Sequence, residues 1–171
     1  AYMTVGRYPT GVPAKWLIPP EVFESEYDLG RFRDRAPAVG VDALGLAGGG
    51  IMEDFDNDGY ADLFATSWGL KDQVRYFRNQ GDGTFADRTA AAGLTGIVGG
   101  LNALQADYDN DGYADVLVLR GGWFGADGLH PNSLLRTQGN GPFADATEEA
   151  GLLPRHPTQP AAWGDCGLGG G

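Results

Sequence analysis

A nine-residue acidic stretch occurs twice in this chain, and few backbones can carry it. Asp54-Phe55-Asp56-Asn57-Asp58-Gly59-Tyr60-Ala61-Asp62 runs into the apolar Leu63-Phe64-Ala65, and Asp107-Tyr108-Asp109-Asn110-Asp111-Gly112-Tyr113-Ala114-Asp115 runs into Val116-Leu117-Val118. Eight of the nine positions are identical, the exception being Phe55 against Tyr108. Four carboxylates in so short a stretch repel one another unless a cation or water intervenes. Carboxylates at alternate positions 1, 3 and 5 of a tight loop all turn inward, and a hard cation that takes six to eight oxygens, Ca²⁺, suits them. Gly59 and Gly112, at position 6, permit the sharp bend.

These loops differ from the helix-loop-helix calcium motif, which closes with a bidentate Glu at position 12. Position 12 is Ala65 in one loop and Val118 in the other, and neither offers a side-chain oxygen. The closing carboxylate is instead at position 9, Asp62 and Asp115, and a strand-like apolar run follows. The expectation is two Ca²⁺ sites, each in a loop between strands, with ligands Asp54, Asp56, Asp58 and Asp62 in the first and Asp107, Asp109, Asp111 and Asp115 in the second. The main-chain oxygens of Tyr60 and Tyr113 complete the sets. The alternative is a polar turn without metal, since Asp, Asn and Gly also favour turns for their own backbone reasons.

The loops belong to a longer repeat. Three segments, Gly30 to Val41, Gly83 to Leu94 and Gly141 to Leu152, share a Phe, an Asp two residues later and a late Gly. Phe32 to Phe85 is 53 positions, Phe85 to Phe143 is 58, and Asp54 to Asp107 is again 53. Each segment reads as a short strand with a buried Phe, then one helical turn ended by Gly40, Gly93 or Gly151. Thr147, Glu148 and Glu149 cap and charge the third turn, and Asp34, Asp87 and Asp145 are turn formers rather than ligands. Strands are expected at about 47–54, 61–68, 73–79 and 84–89, with a matching second unit. Five extra residues in the second unit fall in the stretch from Gly121 to Pro131, which holds Trp123, Phe124 and His130. Four-strand units at this period point to an all-β chain of antiparallel β-propeller blades, two of them complete and others partial.

Residues 1–30 form a proline-rich lead-in or linker with Pro9, Pro13, Pro19 and Pro20, and the repeats occupy 31–171. Its Trp16, Leu17, Ile18 and Phe23 are expected as packing anchors. Asp165 lies thirteen positions after Leu152, as Asp54 does after Val41, but no further carboxylate follows it. The end therefore reads as a third loop cut short, with a doubtful third site.

At this point a resemblance is specific. The acidic loops, followed by Asn79-Gln80-Gly81-Asp82-Gly83-Thr84-Phe85, resemble the FG-GAP or VCBS repeat that builds the calcium-binding propeller of integrin α subunits. The stretch also resembles bacterial members of the cartilage acidic protein family, which often carry an ASPIC/UnbV domain. Arg120-Gly121-Gly122-Trp123, His130 to Arg136, and His156-Pro157-Thr158-Gln159 leading to Trp163 carry that likeness, over roughly residues 30–165. The resemblance implies a longer propeller in a secreted or surface protein, extracellular or periplasmic, used in adhesion or protein interaction.

Composition narrows the partners. The net charge of −11 argues against nucleic acid and anionic membranes, and eight of the 23 acidic residues sit in the twin loops. No apolar run approaches the length of a transmembrane helix, and the first residues lack the basic and apolar regions of a signal peptide. Cys166 is the only cysteine, so no internal disulfide forms. Nucleophile-elbow, zinc-protease and phosphate-loop motifs are all missing, and His130 and His156 both precede prolines without a nucleophile nearby. The reading is a non-enzymatic module whose protein or glycan ligand is unknown, with the 121–131 loop as the first place to look. The rival is a carbohydrate-binding protein or polysaccharide-active enzyme whose Trp123 and Phe124 stack on sugar, while Trp123 as a mere cover of the core edge is the third option.

Overall fold

The computed structural model describes residues 2–3, 5–27, 30, 32–122, 124–139 and 141–164. The chain divides into two compact units, Ala1–Asp34 and Arg35–Gly171. In the first, prolines impose the local geometry: single 3-10 turns at Ala14–Trp16 and Pro20–Phe23 each follow a proline at the N-cap, Pro13 and Pro19. Tyr8 and Phe23 meet edge to face at 5.9 Å, and the Tyr8 hydroxyl donates to the Ile18 carbonyl. The expected packing anchors are not buried: Trp16 is 71% exposed, and Ile18 and Phe23 about half so. Without a strand or helix face among its described residues, this unit has no layer under which to place them.

The second unit opens with one helical turn, α1 (Ala36–Val39), and continues as β1 (Ala47–Glu53), β2 (Asp62–Ser67), β3 (Arg75–Asn79), β4 (Phe85–Asp87), β5 (Asn102–Ala106), β6 (Asp115–Leu119), β7 (Ser133–Thr137) and β8 (Phe143–Asp145). These form two four-stranded antiparallel sheets in the orders β1-β2-β3-β4 and β5-β6-β7-β8. The meander is that of propeller blades, and the sheet boundaries fall within a few residues of those the repeat implies. The registers correspond: Glu53 faces Asp62 as Ala106 faces Asp115, and Asn79 faces Phe85 as Thr137 faces Phe143. Each acidic loop therefore joins the first two strands of its sheet.

The core lies between the sheets. Period-2 alternation sends Phe64 of β2 and Val116 and Val118 of β6 into it, together with Phe55, Val74, Tyr76, Leu94 and Phe143. Phe143 belongs to the second sheet, yet its ring lies 5.5 Å from both Phe55 and Tyr76 and 5.9 Å from Phe64 of the first. The Phe of one repeat thus completes the core of the preceding one. This explains the exchange of Phe55 for Tyr108: Phe55 is fully buried between sheets, whereas Tyr108 is only half-buried.

The inner strands approach closely at the Gly48-Gly49-Gly50 run. A Cβ on Gly49 would lie 2.6 Å from the Ala103 nitrogen of β5, and one on Gly48 would meet the Thr66 carbonyl at 2.5 Å. Glycine is unfavourable in a strand unless another backbone presses against it, as it does here.

The three Phe-to-Gly segments differ in outcome. All three end in a turn closed by a bond from residue i+5 to i: Val41 to Ala36, Leu94 to Thr89 and Leu152 to Thr147. Gly40, Gly93 and Gly151 are left-handed there, with φ of 85°, 75° and 69°, as expected of helix-ending glycines. Among the described residues, only the second and third segments have strands. Phe143 is 8% exposed and Phe85 half-buried, but Phe32 is 94% exposed and lies outside any strand. A preceding third strand is what β4 and β8 pair with, and no sheet precedes β1 among the described residues. The capping of the third turn is also different from expectation. Asp145 Oδ1 accepts from the Thr147 amide at 3.0 Å, and the Thr147 hydroxyl reaches across to accept from the Leu134 amide at 3.0 Å. Asp87 and Thr89 repeat this arrangement, Thr89 accepting from the Tyr76 amide. The threonine therefore ties its turn to the neighbouring strand, and the aspartate caps.

Candidate metal sites

Each acidic loop is first organised by its own backbone amides. Asp54 Oδ1 and Oδ2 accept from the amides of Asp58 and Gly59 at 3.0 and 2.8 Å; Asp107 does the same for Asp111 and Gly112 at 3.0 and 2.9 Å. Asp58 and Asp111 each accept from the amide two residues on, at Tyr60 and Tyr113. Asn57 and Asn110 are left-handed, at φ 54° and 60°, and Gly59 and Gly112 follow at φ 90°. Both loops therefore share this backbone wrap, and the first carboxylate of each nucleates it.

The tyrosines are seated by glycine. A Cβ on Gly81 would lie 2.9 Å from the Tyr60 ring, and one on Gly139 would lie 2.6 Å from the Tyr113 ring. The turn between the third and fourth strands of each sheet thus carries a glycine because a loop tyrosine lies across it.

The wrap brings carboxylates together. Asp54, Asp56 and Asp58 each offer an oxygen within 4.8 Å of the others, and so do Asp107, Asp109 and Asp115. Such clusters can hold a metal ion. Asp62 and Asp111, also expected as ligands, are not among these groups, and the position-9 carboxylates of both loops make further contacts, Asp115 included although it joins the second cluster. Asp62, fully buried, accepts from the Tyr76 hydroxyl at 2.6 Å and from the Asn79 amide at 2.8 Å. Asp115, also fully buried, accepts from the amides of Thr137 at 2.8 Å and Tyr108 at 3.0 Å. Position 9 therefore ties the end of the loop to the third strand of its own sheet. Burial pushes both carboxyls above the ordinary range, and the other loop carboxylates add to it, while these hydrogen bonds oppose the shift. Tyr76 is pushed up in turn, by burial and then by Asp62.

Two arginines that local sequence does not mark as part of the loops lie against them. Arg78 Nε meets Asp56 at 2.5 Å and its Nη2 meets Asp58 at 2.7 Å; Arg136 Nη1 stands 3.8 Å from Asp109. The signal was present, since both lie seven positions before the repeat Phe, at Phe85 and Phe143. Arg78 is held charged above its ordinary value, first by its bond to Asp56. One oxygen still has no partner. Asp56 Oδ1 is withdrawn from solvent and accepts no hydrogen bond, in a side chain only 10% exposed. A buried carboxylate oxygen without a donor is costly, and a cation at the loop centre is the partner that would satisfy it.

Trp123 and Asp165 lie outside the described residues, as does Cys166. Phe124 is half-buried, with its ring 5.5 Å from that of Trp68, a residue the sequence did not single out. His156 is exposed, whereas His130 lines a cleft beside Arg120.

Residues 54–118, from the first acidic loop into β6, match the FG-GAP-like repeat family. No curated protein matches the chain.

Proposed function

We propose that this chain is a calcium-stabilised repeat module of an extracellular or periplasmic interaction protein, and that it is not an enzyme. The observation that supports calcium best is the orphaned, buried Asp56 Oδ1 beside Asp54 and Asp58, inside a stretch that matches an FG-GAP-like repeat. Asp54, Asp56 and Asp58 would hold one ion, and Asp107, Asp109 and Asp115 a second. The role of the ion is structural: it cancels the repulsion in each loop and fixes the passage from the first to the second strand of the sheet.

Calorimetric titration with calcium, paired with melts in calcium and in chelator, tests this. Two sites with Kd of roughly 10⁻⁴–10⁻³ M are expected. At 10 mM calcium each would add about 1.4–2.7 kcal/mol. A folded chain that gives no heat and melts at the same temperature in both buffers refutes the proposal. Arg78→Gln should tighten the first site several-fold, because its guanidinium occupies oxygens of Asp56 and Asp58 that the ion would use. A weaker first site in that variant would mean that Arg78 positions the carboxylates rather than competing for them.

A glycan ligand is the second reading, favoured by the Trp68–Phe124 ring pair, tilted by 34°, which lines an apolar cavity of about 430 Å³ with Leu101 and Gly122. A glycan array separates the readings: selective glycan binding favours this one, and its absence favours a protein ligand.

A further inference from the structure

Arg120 directly follows β6 and is buried, at 8% exposure. Its Nε donates to the Val98 carbonyl at 2.6 Å, and Nη1 donates to the Pro131 carbonyl at 3.0 Å and to Ser133 Oγ at 2.7 Å. All three acceptors are neutral. Among the described residues no carboxylate pairs with it, and Nη2 has no protein acceptor. Burial pulls its pKa below the ordinary value, with the charge of Asp145 opposing. A largely buried guanidinium held by neutral acceptors, with Asp145 the one carboxylate acting on its charge and Nη2 left facing the cleft, favours whatever brings a negative charge to it.

The guanidinium opens on a cleft of about 220 Å³ whose lining includes Leu70, Ile97, Pro131, His130 and Ser133. Ser133 accepts from Arg120 and retains its own hydroxyl proton to donate, and the His130 ring supplies another N–H. Leu70, Ile97 and Pro131 present apolar walls. Nη2 keeps two N–H donors, and together with the Ser133 hydroxyl and the His130 ring they offer donors to both oxygens of a carboxylate.

We propose that this cleft is an anion site that takes a carboxylate group on a short apolar stem, held by Arg120 with Ser133 and His130. It is distinct from the acidic loops and stands whether or not they hold calcium. A free short-chain carboxylate and an acidic group on a peptide share this chemistry.

The test is titration with sodium propanoate at constant ionic strength, followed by amide chemical shifts, with propanamide as the uncharged isostere and sulfate as a non-planar anion. Propanoate should saturate, shifting Val98, His130 and Ser133, and bind at least about tenfold more tightly than propanamide or sulfate. A peptide with a free C-terminal carboxylate binding better than propanoate identifies a peptide source; propanoate binding better identifies a free acid. Removing Arg120 risks the fold, so the deciding variant is Leu70→Asp. The Leu70 Cα and Arg120 Cδ lie 3.7 and 3.6 Å from the same point above Gly99, close enough for the new carboxylate to fill the site. Propanoate affinity should fall at least about tenfold in that variant while the melting temperature holds or rises. Unsaturable shifts, equal binding of propanoate and propanamide, sulfate binding as tight as propanoate, or unchanged affinity in Leu70→Asp would each overturn the assignment.

Discussion

Phe143→Ala should destabilise the repeat unit by about 3–5 kcal/mol, enough to lower the melting temperature by roughly 10–15 °C. The side chain is 8% exposed and its ring contacts Phe64 and Tyr76 of the other sheet and Phe55 of that sheet's acidic loop. Its removal opens a cavity at the junction, where neither sheet can collapse without breaking the other's register. The amide of Phe143 also donates to the Ala92 carbonyl at 2.9 Å, so the backbone is held in place while the ring is lost. Phe85→Ala is the internal control. It holds the same place in its repeat but is only half-buried, and about 1–2 kcal/mol is expected from the smaller apolar area withdrawn from water. Thermal melts of the two variants side by side decide the matter. Equal losses would show that the ring matters to its own strand and not to the junction.

This asymmetry marks where sequence stops being informative. Repetition and period-2 apolar runs make the strands and their order legible, because alternation in Asp62–Ser67 and Asp115–Leu119 is a local property. The loops are legible for the same reason: spacing alone places Asp54, Asp56 and Asp58 on one concave side. Phe32 shows the limit. It carries the repeat signature, yet a third strand and a neighbouring sheet are what bury such a ring, and neither stands beside it among the described residues. Arg78, Trp68 and Arg120 make contacts that are hidden from local sequence on the same grounds. Each gains its role from a partner 20 or more positions away or from the loss of water, neither of which a local motif records. Position 9 of the loops is the subtler case: spacing identifies Asp62 and Asp115 as part of the loop, but not that their oxygens meet donors on β3 and β7.

That last point leads to a second large effect. Asp115→Ala should cost about 2–4 kcal/mol even in excess chelator, which a residue serving calcium alone would not. Its two oxygens satisfy the amides of Thr137 and Tyr108, and Thr137 is buried, so the substitution strands donors away from water. Relief of the buried negative charge, whose pKa burial has raised, offsets part of the loss. Asp111→Ala provides the comparison: that carboxylate is exposed and accepts only from the nearby Tyr113 amide, so its effect in chelator should stay near 0.5 kcal/mol or below. Repeating both melts in calcium then separates the two roles of Asp115. If it also ligates the ion, calcium should stabilise the variant by one site's contribution rather than two. If position 9 only joins loop to strand, the full calcium increment should survive on a lower baseline. An Asp115→Ala chain as stable in chelator as the parent would remove the tie itself.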